Sequence, residues 1–127
     1  MRINISKDYK ATADCDLLGY IGETNARTIE VEQPEVERAD CYRLRFEYPD
    51  GVVYDVPIED GRMTVGGSLL RESGHVKCQW LATAADGDNY RLVAKSNVLR
   101  CVSRAVSRMI SHRYRLMSRQ LTLWTGF

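Results

Sequence analysis

Histidine, proline and phenylalanine are scarce in this 127-residue chain, and no C-x-x-C pair, nucleophile elbow, P-loop or dinucleotide fingerprint occurs in it. The two histidines, His75 and His112, lie far apart in sequence, so a two-histidine metal site would need long-range luck. Cys15, Cys41, Cys78 and Cys101 are widely spread, with no histidine at zinc-finger spacing. In a reducing compartment they read as small, mostly buried apolar residues. No catalytic, metal or cofactor residue is assigned, and the sequence reads as non-catalytic.

The opening MRINISKDYK lacks an apolar run of signal-peptide length, and nowhere is there a run of about 18 apolar residues that could span a bilayer. The expectation is synthesis in the cytosol without a membrane span. Gly66-Gly67 is followed by no Lys or Thr at phosphate-loop spacing, so it reads as a strand exit. Asp86-Gly87-Asp88-Asn89 lacks the terminal Glu of a calcium loop and reads as a turn. Glu30, Glu32, Glu35, Glu37 and Asp40 form an acidic stretch typical of a solvated edge. A glycosidase pair is a matter of carboxylate separation in space, which sequence does not give.

What is present is an ordinary globular composition, 44% hydrophobic and 28% charged, enough to build one core without staples. The net charge of +1 hides an asymmetry. Residues 1–102 carry 13 Lys and Arg against all 17 Asp and Glu, a net −4, whereas residues 103–127 carry Arg104, Arg108, Arg113, Arg115 and Arg119 without an acid, a net +5.

Short alternating segments broken by Gly, Pro, Asp and Asn fill residues 1–102. Between Asp40 and Tyr48, Tyr42, Leu44, Phe46 and Tyr48 fall on one face and Cys41, Arg43, Arg45 and Glu47 on the other, the pattern of a half-buried strand. Pro49-Asp50-Gly51 turns this strand back into 52–57, and Glu59-Asp60-Gly61 leads into 62–65. One helical turn is expected over 68–72. A second hairpin joins the Val76-Cys78-Trp80 and Tyr90-Leu92-Ala94 alternations, and 98–102 reads as a final strand. With candidates at 2–5, 15–21 and 28–33, eight or nine strands without intervening helices predict a mainly β chain. The expected fold is an antiparallel two-sheet sandwich, Ig-like or jelly-roll-like, with a partly open barrel as its neighbour.

Residues 103–127 follow a different period. On a helical wheel Val106, Met109, Ile110, Met117 and Leu121 share an apolar arc with Val102, Ala105, Tyr114 and Leu116, while Arg104, Arg108, Arg115 and Arg119 line the opposite arc. Arg113 breaks the apolar arc, and Ser103 is a reasonable N-cap. The reading is a basic amphipathic α-helix appended to a β domain that ends at Val102. Leu123, Trp124 and Phe127 are large apolar groups that a free tail would leave wet.

The string Gly19-Tyr20-Ile21-Gly22-Glu23-Thr24-Asn25-Ala26-Arg27, the alternation from Thr28 to Val31, and Ala39-Asp40-Cys41-Tyr42-Arg43-Leu44 together resemble a β-sandwich module of phage and prophage tail proteins. Leu69-Leu70 ahead of Gly74, the 76–80 strand with Gln79, and Lys95-Ser96-Asn97-Val98 extend the likeness over residues 1–102. The match is to the N-terminal domains of baseplate upper or tail-fibre proteins, which mount receptor-binding parts. The resemblance implies a virion component made in the bacterial host cytoplasm, with interfaces rather than an active site. The departure is at Ser103, because such proteins usually run on into a linker, a stalk or a further domain.

The assembly partners expected are copies of the same chain or other virion proteins, contacted through Val106, Met109, Ile110, Met117, Leu121, Trp124 and Phe127. The alternative is nucleic-acid binding, with Arg104, Arg108, Arg115 and Arg119 contacting a polyanion or an acidic partner. The −4 charge of the body opposes contact with nucleic acid. A carbohydrate site would need an exposed platform of Tyr42, Tyr48, Tyr54, Trp80 or Tyr90, but the alternation puts Tyr42, Tyr48 and Trp80 on core faces.

Overall fold

The computed structural model describes residues 1–105. Nine strands follow in order: β1 (Arg2–Ile5), β2 (Ala11–Ala13), β3 (Leu17–Tyr20), β4 (Thr28–Glu32), β5 (Cys41–Glu47), β6 (Val53–Ile58), β7 (Arg62–Thr64), β8 (Gly74–Asp86) and β9 (Asn89–Arg104). One 3-10 turn, Gly67–Leu70, falls where a single helical turn was expected. The strands form a four-stranded sheet, β2-β1-β4-β7, and a five-stranded sheet, β3-β9-β8-β5-β6. No helix among the described residues is long and apolar enough to cross a membrane.

The two sheets close on one core. The four-stranded sheet contributes Ile3, Ile5, Ile29, Val31 and Met63, and the five-stranded sheet contributes Leu44, Phe46, Val76, Cys78 and Trp80. Period-2 alternation explains this division, since β1 and β4 bury every second residue and expose the others. Trp80 is 1% exposed and lies between the rings of Tyr9 and Tyr42, each with its centroid 5.8 Å away. Its indole N–H donates to Gln33 Oε1 at 2.8 Å, so the one polar atom of the ring is satisfied inside the core. Tyr48 donates its phenol to the Leu69 carbonyl, and burial pushes its pKa up to about 12.

The turns do what their residues dictate. Asp60 and Gly61 both take positive φ, 54° and 72°, in a two-residue loop bridged by Glu59 and Arg62. That tight turn carries the chain from β6 in one sheet to β7 in the other. The β8–β9 hairpin closes through Gly87 at φ 65°.

Four expectations are corrected. The sandwich is not wholly antiparallel: β1 pairs with β4, and β3 with β9, in parallel. Side-chain alternation is identical for both pairings, so the sequence pattern is blind to strand direction. Second, β2 has only three residues and too short an alternation to register. Third, the 98–102 segment is no separate strand, because Ser96 and Asn97 form a bulge within one 16-residue β9. Finally, β9 runs through Ser103 to Arg104, beyond the expected end at Val102. Ser103, read as a helix cap, pairs with Gly74 and Gly19, and Arg104 with Tyr20. Sheet pairing on both sides overrides the local helical period there. The expected helix from Val106 onward lies outside the described residues.

The bulge is built rather than tolerated. Opposite it, Trp80 N–H donates to Ser96 Oγ at 3.1 Å, and Gln79 Nε2 donates to the Ser96 carbonyl at 2.6 Å. Asn97 then spans the sheets, accepting from Ala11 N–H at 2.6 Å and donating to the Ala11 carbonyl at 3.3 Å. Trp80→Ala is expected to cost about 3–5 kcal/mol in denaturant unfolding through the cavity it leaves. Asn97→Ala is expected to cost about 1–2 kcal/mol, the value of two bonds to a backbone that water then partly serves.

Candidate functional site

Residues directly opposite one another in a ladder share a face, so register alone maps the outer surface of the five-stranded sheet. One row crosses Val53, Glu47, Lys77 and Arg100; the next crosses Asp55, Arg45, Gln79 and Val98; a third crosses Pro57, Arg43, Leu81 and Lys95. Past a second register shift, between Ala82 and Thr83, Thr83 lies between Cys41 and Leu92, and on this face Leu81 and Thr83 are buried beneath their neighbours. Alternation along β9 adds Val102 and Arg104 to the Arg100 face, leaving Cys101 and Ser103 buried on the other.

A half-buried ionic cluster occupies the middle of this surface. Arg45 grips Asp55 with two bonds, Nε to Oδ1 at 2.7 Å and one terminal nitrogen to Oδ2 at 2.9 Å. The Tyr90 phenol donates to the same carboxylate and accepts from Arg45 at 3.1 Å. The Arg43 guanidinium stacks 4.4 Å from the Tyr90 ring centroid and donates to Thr83 Oγ1 at 3.4 Å. The hydrogen bond from Arg45 holds Asp55 below the usual carboxylate range, and the hydrogen bond to Asp55 raises the Tyr90 pKa. Five polar groups thus fix one another on a rigid sheet, the preorganisation an interface anchor needs.

Near the other end of the same surface is an open cleft of about 260 Å³. Tyr48, Pro49 and Gly51 of the β5–β6 turn wall one side, and Glu47, His75, Lys77 and Arg100 complete it. Arg71 flanks that turn, donating to both Asp50 oxygens at 2.8 Å with its guanidinium 4.6 Å from the Tyr48 ring centroid.

Of the residues assigned to interfaces from sequence, Arg104 alone is among those described, exposed at the end of β9. Val106, Arg108, Met109, Ile110, Arg115, Met117, Arg119, Leu121, Trp124 and Phe127 lie outside the described residues. The cluster of Arg43, Arg45, Asp55 and Tyr90 escaped sequence reading, although the alternation had put Arg43 and Arg45 together on a solvent face. The missing information was the register that sets Asp55 opposite Arg45 and folds Tyr90 back across both. Cys15, read with the buried thiols, is exposed, whereas Cys78 and Cys101 are buried. Among the described residues no group of three or more His, Cys, Asp and Glu is gathered as a metal site would require.

Because the folded-state pKa of Asp55 is lowered, its contribution is present above about pH 4 and is lost as pH falls through the lowered value. Asp55→Asn is therefore expected to destabilise by about 1 kcal/mol at pH 7, the partly exposed pair being discounted for solvent. The gap to the parent chain should narrow in urea titrations as the pH is lowered through the depressed Asp55 value, where the parent carboxylate becomes protonated too.

No family model matches the chain, and no curated protein matches it. Seven solved chains match in structure. Among them is the N-terminal domain of phage TP901-1 ORF48, similar over 81% of this chain and 94% of that one, with a TM-score of 0.55 and 9% sequence identity. At that identity the likeness is one of fold.

Proposed function

We propose that this chain is a structural component of a phage or prophage particle, in the tail or baseplate, acting through protein–protein interfaces and not by catalysis. The observation that carries the reading is the fold shared with the N-terminal domain of phage TP901-1 ORF48 across nearly all of that domain. The tail-protein resemblance of Gly19–Arg27, Ala39–Leu44 and Lys95–Val98 supports it from a separate direction. In the fold these segments hold structural posts. Glu23 accepts from Tyr20 N–H and pairs with Arg27 at 2.7 Å; Tyr42 stacks on Trp80; Asn97 ties the sheets together.

The chain acts as a homo-oligomer or docks to other virion proteins, and it is made in the bacterial host cytoplasm before joining the particle. Val106, Met109, Ile110, Met117, Leu121, Trp124 and Phe127 supply an apolar contact surface, as their spacing indicates. Arg104, Arg108, Arg115 and Arg119 supply a basic one.

Particles purified on density gradients from a host carrying the coding sequence are expected to contain this chain in fixed ratio to a known tail protein, measured by quantitative mass spectrometry. Abundance in the lysate with none in the particles contradicts the reading. Light scattering on the full chain is expected to give a mass above 14.5 kDa at micromolar concentration; a monomer there excludes self-assembly and leaves docking to another protein.

A further inference from the structure

The body as a whole is acidic, yet one face of it is not. The outer surface of the five-stranded sheet carries Arg43, Arg45, Lys77, Lys95, Arg100 and Arg104 against only Glu47 and Asp55. The four-stranded sheet has no such excess, since its outward charges, Arg2, Glu30, Glu32 and Arg62, balance. Lys77 and Arg100 stand directly opposite each other, and neither is ion-paired among the described residues. Like charges so placed repel and destabilise the free sheet, and an anion between them relieves that repulsion.

The same face is also apolar in spots. The exposed large hydrophobic residues among those described are Tyr20, Val52, Val53, Leu92 and Val98, all on the five-stranded sheet or its β5–β6 turn. Val53, at 46% exposed, stands beside Glu47, and Val98, at 51%, beside Gln79. Nucleic-acid interfaces are more uniformly polar and positive than this, whereas aliphatic groups among arginines and a tyrosine describe a protein interface. Residues 106–127 carry Arg108, Arg113, Arg115 and Arg119 without an acid, so like charge keeps them from complementing this face.

We infer that the outer surface of the five-stranded sheet is a docking face for an acidic protein partner. That partner's carboxylates occupy the cleft beside Lys77 and Arg100, and its apolar side chains cover Val53 and Val98. The Arg45–Asp55–Tyr90 cluster, already ordered in the free chain, is the fixed centre of the contact. The inference deepens the structural-component reading and rests on it for the kind of partner.

The test is fluorescence anisotropy of the full chain with a labelled dodecapeptide of alternating Glu and Val. The expected result is saturable binding that weakens as salt rises from about 0.05 M to about 0.5 M. Arg100→Glu should weaken it about tenfold. In that variant the row from Glu47 through Lys77 alternates in sign, so folding is retained, and an unchanged melting temperature checks this. Lys7→Glu, the same charge change on an exposed turn away from the sheet, should bind like the parent. Equal loss in both variants, no binding at low salt, or tighter binding of oligothymidine of equal charge overturns the proposal. So does dimerisation that Arg100→Glu abolishes, which would make a second copy the occupant. Failure here with the chain still present in purified particles removes this docking face alone, whereas absence from particles removes the wider reading.

Discussion

Trp80 and the bulge opposite it set the terms for the rest of the molecule. A tryptophan pressed between Tyr9 and Tyr42 must bury its indole N–H, and Gln33 accepts it. Its backbone N–H faces the place where β9 holds an extra residue, and Ser96 Oγ accepts its hydrogen bond. Without these two partners the centre of the sandwich would hold orphaned donors, each costing about 1–3 kcal/mol. With them, β8 and β9 run as one long ribbon from Gly74 to Arg104.

The consequence reaches the outer surface. Before the bulge the ladder sets Lys77 against Arg100 and Gln79 against Val98; after it, the pairing resumes at Leu81 with Lys95. This shift determines which side chains of β9 face solvent, because a one-residue slip in register exchanges the faces of a strand. A second shift, between Ala82 and Thr83, sets Tyr90 opposite Ala85, where its phenol reaches Asp55, two strands away from its own ladder partner β8. Core packing and surface chemistry thus meet at the irregularities of one ribbon.

Much of the β architecture was legible in the sequence, and for physical reasons. The alternation of Tyr42, Leu44, Phe46 and Tyr48 exists because one side of β5 is wet, and Asp60-Gly61 tolerates positive φ where a two-residue turn requires it. Strand direction was not legible, because parallel β1–β4 and antiparallel β1–β2 present the same alternation. Nor was the bulge, since Lys95-Ser96-Asn97 reads as an interruption and only the partner strand reveals that the ladder continues through it. The outer-face cluster depended on register between residues 10 to 45 positions apart. The pull of the helical period on Ser103 and Arg104 shows the opposite error, a local signal overruled by neighbours on both sides of β9.

The basic, partly apolar surface of the five-stranded sheet is the proposed place where this domain meets its neighbour. A cryo-electron microscopy reconstruction of the assembled particle would show that contact. The five-stranded sheet is expected to face an adjoining protein, with Lys77 and Arg100 within ion-pairing distance of that protein's carboxylates and Val98 covered. A map in which this sheet lies open to solvent, while the four-stranded sheet forms the contact, would contradict it.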